Sequence, residues 1–373
     1  MTDQLSSIPT KKLDQAEIAA LARVHLWVTG EIHLRLNAFT RQARAVVLQR
    51  AGADGQFDGA SGFQAQNDIL REWDKVHADV LVIMRAGMEQ AARLPFALLA
   101  EENQRRVLPL TVDGGRLTEA TITTYEGWVE QQFRLLIEQA NSRILDGLNL
   151  SARVWKMDSD TRLGINNLIV REIGEKQDAW SLARDLVGFL GSSQDCPRWT
   201  DARLYGLTKS DIAGGDLSGL LTGKACDGTG VAYKALRLAR TEIQAIHAEA
   251  STRQMAASPW VLQEKIILSN AHPEPDECDD VTSGGDQGDG AYPVGTITLP
   301  LHPQCLCYKV AVTMSDDDFV AAMRGWGDGS QPWPEMDTYH ATIGGVGADL
   351  SKDTEPLKTW LFGSERELQK VMP

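Results

Sequence analysis

The segment between residues 272 and 307 concentrates side chains that can hold a metal ion. It opens with HPEPDECDD, continues through a glycine-rich loop and closes with PLHPQCLC. These residues supply nitrogen, oxygen and sulfur donors of the kinds that zinc accepts at about 2.0–2.3 Å. The candidate metal ligands are His272, Asp276, Cys278, His302, Cys305 and Cys307. We predict a structural zinc site that clips a long polar loop, with not every donor expected to bind.

The spacing of the three cysteines leaves alternatives open. Residues two apart on a strand share a face, so Cys305 and Cys307 can both turn towards Cys278. A gap of one residue is nevertheless tighter than the usual gap of about two to four residues in zinc sites. The alternatives are that the thiols are buried without metal, or that two of them are oxidised to a disulfide.

Other catalytic signatures are missing from the sequence. It contains no GxSxG elbow, no HExxH helix and no glycine-rich dinucleotide fingerprint. We interpret Arg240 and Glu242 as a salt-bridged or capping pair that fixes a helix against the loop, and His247 as a surface residue or a neighbour of the cluster. His25 and His33 are spaced eight residues apart on an early helix, and we interpret them as polar-face residues without carboxylate or cysteine company.

Composition predicts a folded protein made in a reducing compartment. Hydrophobic residues at 43% and charged residues at 24% match ordinary globular usage. Five cysteines in 373 residues are odd in number and too sparse for a secreted disulfide scaffold. The first residues lack an apolar signal core, and no apolar run of about 18 residues occurs. We therefore expect a protein made in the cytoplasm that does not enter a membrane.

Charge is distributed unevenly along the chain. The net charge is −14, and residues 251–373 hold 8 Lys and Arg against 19 Asp and Glu, a balance of −11. Residues 1–250 hold 29 against 32, a balance of −3. Because phosphate binding needs clustered cations, any contact with nucleic acid is expected in the N-terminal two thirds.

Apolar periodicity predicts helices through the first two hundred residues. Core stripes with spacings of three and four occur at 69–83 and 129–144. Segments 158–173 and 178–191 are typical of a packed helical hairpin, with Asp158 and Ser159 as possible N-caps. The second of these helices carries Asp178 and Asp185 against only Arg184, which argues against a helix that reads DNA.

The remainder predicts a small α+β unit, so the fold class is α+β. A helix resumes at Val231, a strand runs from Trp260 to Ser269 with Leu262 on its inward side, and a second strand runs from Cys307 to Thr313. We divide the chain into a helical docking region at 1–195, a glycine-rich connection at 196–230, a module at 231–314 with a short hairpin or sheet and a His/Cys-anchored loop, and an acidic extended tail at 315–373.

The order of several motifs resembles a known family. They are Ala239-Arg240-Thr241-Glu242 on a helix, Trp260 opening a strand, HPxPDxCD from His272 to Asp279, Tyr292-Pro293, and His302-Pro303-x-Cys305-x-Cys307. Over roughly residues 230–313 this series resembles the head morphogenesis module of minor head proteins of the phage Mu protein F type. The resemblance makes a structural signature of Arg240, Thr241, Glu242, Trp260, Asp279 and Tyr292. Leu306 stands where many relatives have Arg, and Cys278 stands alone where some have a CxxC pair.

The resemblance implies a phage minor head protein, not an enzyme, that acts in capsid assembly at or near the portal inside the head. The implied location is the virion, after assembly in the host cytoplasm. The implied partner is the portal protein, with the major capsid or scaffold protein and phage genomic DNA as further candidates, and with no membrane.

Two other functions stay open. One is a metal-dependent nuclease or nucleic-acid-processing enzyme, because His and Cys around a β-hairpin also build such sites, although the acidic surroundings would repel phosphate. The other is an internal DNA-associated protein ejected with the genome, which the nearly balanced charge of residues 1–250 permits.

Overall fold

The computed structural model describes residues 10–57, 59–102, 122–143, 150–174, 178–191, 230–268, 275–285, 287–303 and 305–341. The first six helices are α1 (Thr10–Arg50), α2 (Gly59–Glu102), α3 (Ile122–Ser142), α4 (Leu150–Gly174), α5 (Ala179–Gly191) and α6 (Val231–Ala256). The later elements are β1 (Val261–Ile267), α7 (Glu277–Thr282), β2 (Ala291–Tyr292), β3 (Tyr308–Thr313), α8 (Asp316–Asp328) and α9 (Pro334–Tyr339). This arrangement confirms the predicted α+β class. Among the described helices, none has an apolar run that would reach across a bilayer.

The helical part packs around one apolar core, to which the predicted stripes contribute. Ile69 and Trp73 of α2 and Leu136 of α3 are fully buried. The Trp73 indole N–H donates to Asp158 Oδ1 at 2.7 Å. Asp158 is therefore not an N-cap as predicted, because α4 already begins at Leu150 and places this carboxylate, like Ser159, inside the helix.

Helices α4 and α5 form the predicted hairpin, and α5 also packs on α1. The Asp178 carboxylate caps α5, since its Oδ1 accepts from the Trp180 and Ser181 amides at 2.8 and 3.0 Å. Gly164 lets Phe189 approach α4, because a Cβ at that position would lie 2.1 Å from the Phe189 ring. These contacts show that α4 and α5 are packed and capped as parts of the helical core.

Helix α6, which we predicted to open the C-terminal module, is the central helix of the helical core. It packs against α1, α2, α3, α4 and α5, and its apolar side chains belong to the same core cluster as theirs. The predicted boundary at residue 231 therefore falls inside one hydrophobic core. His247 is only 3% exposed, and its expected surface position is wrong because helices surround α6 on several sides.

His25 of α1 is likewise buried, at 1% exposure, and its predicted place on a polar face is wrong. Burial, followed by the positive charge of Arg240, lowers the pKa of His25 from 6.5 to about 3. The unfolded chain therefore binds a proton below pH 6.5 that the folded chain binds only near pH 3.

Acidification is expected to destabilise the protein through His25. Between pH 6.5 and about 3, this residue should remove at most about 1.4 kcal/mol of the free energy of unfolding for each pH unit. Urea denaturation at pH 7 and pH 5 measures the loss, and His25→Gln should reduce it by about 2 kcal/mol. An equal loss in the variant and the wild type would contradict the assignment to His25.

The three-stranded sheet is antiparallel with the order β2-β1-β3. Both predicted strands exist, with bounds one or two residues tighter than expected. The inward position of Leu262 is wrong: this side chain is 54% exposed, because the register shifts between Val261 and Gln263. Such a bulge moves the residues before it onto the other face of the strand. After the bulge, Ile266 is buried as predicted, and Glu264 is buried on the same face.

The predicted extended tail is wrong for residues 316–341, which form α8 and α9 and one further turn; residues 342–373 lie outside the described ranges. Phe319, Met323 and Trp326 recur at helical spacing and bury themselves beside Trp260. The Phe319 and Tyr339 rings lie 5.7 and 5.2 Å from the Trp260 ring. Three acidic residues of this region, Asp316, Asp317 and Asp318, occupy the first turn of α8, where the helix dipole favours negative charge.

Candidate metal centre

Helix α7 brings one cysteine to the site. Asp276 caps this helix, with its Oδ1 accepting from the Cys278 amide at 2.7 Å. Asp279 completes a capping box, with its Oδ2 accepting from the Asp276 amide at 2.9 Å. The reciprocal bonds fix the first turn and hold Cys278 inward, where it is 1% exposed.

The segment before β3 brings the thiols of Cys305 and Cys307 against Cys278. The sulfurs of Cys278, Cys305 and Cys307 all lie within 4.8 Å of one another, and each residue is at most 2% exposed. The sulfurs of Cys278 and Cys305 are 3.6 Å apart. Ligands that bind a tetrahedral zinc ion at about 2.0–2.3 Å lie about 3.3–3.8 Å from one another, so this separation suits two ligands of one ion. All three are free thiols.

A second group of donors shares Cys278 with the first. The atoms Asp276 Oδ2, Cys278 Sγ and His302 Nε2 also lie within 4.8 Å of one another. His302 Nε2 is 3.1 Å from the carboxylate and 3.2 Å from the sulfur. Five of the six predicted donors therefore meet around one sulfur, and His272 lies outside the described residues.

The hydrogen bond on the far side of the His302 ring fixes what Nε2 can do. Nδ1 lies 3.0 Å from the carbonyl oxygen of Pro303, and a carbonyl can only accept, so Nδ1 donates. Nε2 then faces Oδ2 of Asp276 at 3.1 Å, where a proton on the ring or a cation would lie between the two atoms. This geometry suits a metal ligand whose orientation is fixed by a backbone carbonyl.

The pKa values of Cys305 and Cys278 shift in opposite directions. Hydrogen bonds from Cys278 and then Cys307 lower the pKa of Cys305, because they stabilise its thiolate. Hydrogen bonding to Cys305 and Cys307, together with burial, raises the pKa of Cys278. The surroundings are apolar, with Ala248, Ile266 and Leu299 in the same cluster. A cation would offset the cost of the negative charge that thiolates bring into this environment.

The same residues are poorly arranged as a Cys-His-Asp catalytic triad. In such a triad one ring nitrogen faces the nucleophile while the other donates to the carboxylate. Here His302 faces both Cys278 and Asp276 through Nε2, and its Nδ1 is engaged by Pro303. The arrangement is suited to holding a cation and not to activating a thiol.

Two residues that the sequence did not single out form a buried ion pair two residues beyond Cys307. Lys309 of β3 donates to Glu264 Oε2 at 2.8 Å and to Thr252 Oγ1 at 2.7 Å, and it also bonds the Ile297 carbonyl. Glu264 Oε1 accepts from the Ile297 amide at 2.8 Å. The Lys309 and Glu264 side chains are 2% and 0% exposed. The sequence signal was the place of Glu264 between Leu262 and Ile266, on the strand face predicted to point inward.

The residues of the structural signature are buried or make specific contacts. Glu242 pairs with Arg153 of α4, and Arg240 Nε donates to Thr29 of α1 at 3.1 Å, so these residues fix α6 against the helical core and not against the loop. Burial raises the pKa of Glu242, and Arg153 opposes that shift.

The other four signature residues lie in α6, just before β1, in α7 and in β2. The Thr241 hydroxyl bonds the Arg237 carbonyl at 2.7 Å, and Trp260 is fully buried before β1. Asp279 caps α7, and the Tyr292 hydroxyl donates to the Val281 carbonyl at 2.8 Å. Comparison with protein-family models, curated proteins and solved structures finds no match to this chain.

Proposed function

We propose that this protein is a phage minor head protein that acts in capsid assembly at or near the portal, inside the head. The observation that carries the proposal is the ordered series of motifs from Arg240 to Cys307, which resembles the Mu protein F type. The contacts of these residues support it, because each motif has a structural task in α6, the sheet or the donor cluster.

The donor cluster is proposed to bind one structural zinc ion. Cys278, Cys305, Cys307 and His302 would supply three sulfurs and one nitrogen, a combination found in closed zinc sites. When bound, zinc would cross-link α7 to the segment before β3. Asp276 would remain the cap of α7, with its Oδ2 close enough to contribute to the local negative charge.

Burial supports an assembly role over catalysis. Structural zinc sites are closed by protein ligands, whereas catalytic ones leave a position for water or substrate. The three sulfurs are at most 2% exposed and lie among apolar side chains. The proposed tasks of the protein are then recognition of its partner and correct placement in the growing head.

Co-purification with the portal protein encoded in the same phage genome tests this function. We expect tagged wild-type protein to retain the portal at physiological salt, and deletion of the gene to reduce the yield of infectious particles at least about tenfold. A tagged, unrelated acidic protein is the control for charge-driven retention.

The proposal fails if the portal is not retained and particle yield is unchanged by the deletion. Plasmid cleavage that is lost in His302→Ala would point to the nuclease instead. Salt-dependent retention of DNA with no retention of the portal would point to a protein ejected with the genome.

A further inference from the structure

The segment from Cys305 to Lys309, here called the arm, carries two of the cysteines. A buried side-chain amide binds it to α6. Gln244 is fully buried, and its Nε2 donates to the backbone carbonyl of Cys307 at 2.8 Å. Its Oε1 lies 3.4 Å from His25 Nε2 on α1. One side chain therefore bridges the cysteine arm and the helical core.

A second anchor lies two residues further along the same arm. Lys309 donates to Thr252, which is eight residues beyond Gln244 on α6. Positions eight apart on a helix lie on the same side, two turns from each other. The arm from Cys305 to Lys309 thus runs along α6, with one bond at Cys307 and another at Lys309.

Helix α6 is itself bound to the helical core by buried polar contacts. His247 Nε2 lies 3.0 Å from Glu17 Oε1 of α1, and Glu242 pairs with Arg153 of α4. A displacement of α6 relative to these helices would therefore change the hydrogen bond between Gln244 and the Cys307 carbonyl.

We propose that Gln244 is the positioning residue of the metal centre, and that through it the helical core sets the affinity of the cysteine cluster for its ion. The inference rests on the metal centre named under the proposed function. Removing the amide leaves the Cys307 carbonyl without its buried donor and frees the arm to move away from Cys278. By thermodynamic linkage, binding of the ion must in turn stabilise the contact of the arm with α6.

Gln244→Met tests the role, because methionine has a similar length and no amide donor. Gln254→Met is the matched control: Gln254 is a second buried glutamine on α6, and its Nε2 donates to Ser258 at 3.2 Å. We expect Gln244→Met to weaken zinc binding, measured by competition with a chromogenic chelator, about 10–100-fold, and Gln254→Met to weaken it less than about threefold.

A second readout works without any metal. In protein stripped of metal, iodoacetamide should alkylate Cys307 roughly tenfold faster in Gln244→Met than in the wild type, because one lost buried hydrogen bond makes local opening more frequent. Mass spectrometry of the peptide that contains Cys305 and Cys307 resolves the site. Gln244→Leu, which also lacks the donor, replaces the methionine variant if that variant does not fold.

Equal effects of the two glutamine variants, in either readout, would overturn the inference and leave the zinc centre standing. A wild-type protein that binds no zinc would overturn the metal centre, and the alkylation rates would then decide whether Gln244 positions the arm.

Discussion

Cys278→Ser is expected to abolish stoichiometric zinc binding. Its sulfur is the atom that both donor groups share, within 4.8 Å of Cys305 and Cys307 on one side and of Asp276 and His302 on the other. Purified wild-type protein should hold about one zinc per chain by mass spectrometry of metals, and the variant less than roughly a tenth of that. Structural zinc contributes on the order of 10 kcal/mol of binding free energy in small domains, so a chelator should also lower the thermal midpoint of the wild type.

A second cysteine variant separates ligation from the general loss of a thiol. Cys226→Ser removes a cysteine outside the predicted ligand set and should leave the zinc content unchanged. Zinc content that is equal in Cys278→Ser and in the wild type would contradict the site. So would a wild type that holds no zinc and keeps its thermal midpoint in the presence of the chelator.

Lys309→Met is expected to destabilise the protein by about 3–5 kcal/mol, because it leaves the Glu264 carboxylate buried without its cation. Both side chains are at most 2% exposed, and the lysine also bonds Thr252 and the Ile297 carbonyl. Urea denaturation at pH 7 measures the loss. Adding Glu264→Gln should restore part of it, because the amide oxygen can still accept from the Ile297 amide while the unpaired charge is gone.

The adjacent strand provides the matched control for this pair. Lys265 of β1 lies 3.0 Å from Asp289, and the two side chains are 33% and 44% exposed. Lys265→Met should cost no more than about 1 kcal/mol, the usual range for exposed pairs. If the two lysine variants are equally stable, the buried pair is not what holds β1, β3 and the Ile297 loop together.

Residue types and local periodicity predicted the donor cluster and most elements. Asp276, Cys278, His302, Cys305 and Cys307 were recognisable because zinc chemistry needs such side chains, and the helices because their apolar stripes repeat every three or four residues. The sequence could not predict that Cys278 belongs to both groups of donors, since this depends on how α7 packs against the arm. The error at Leu262 comes from a bulge, which changes which strand residues face inward. The partner of Glu264, which is Lys309 on another strand, depends on the pairing of β1 with β3 and could not be read from local periodicity.

The errors at His25 and His247 share one cause. A helix with polar residues off its apolar stripe is normally a surface helix, and periodicity alone cannot show that other helices cover its polar side as well. Here these polar residues find partners across the core, such as Glu17 for His247 and Gln244 for His25. The tail was predicted to be extended because it is acidic and rich in Gly, Pro and Trp, although Phe319 and Met323 repeat at helical spacing.

The burial of α6 limits how the C-terminal region can be separated from the rest of the chain. A fragment that starts at residue 231 would carry a helix whose Val231, Leu236, Ile243 and Ile246 are covered by the preceding helices. We therefore expect residues 231–314 not to fold when they are encoded without the preceding helices. A gene fusion that moved them to a new N-terminal partner would have to bring an apolar helical surface to replace the one left behind, or the fragment would associate through that exposed side.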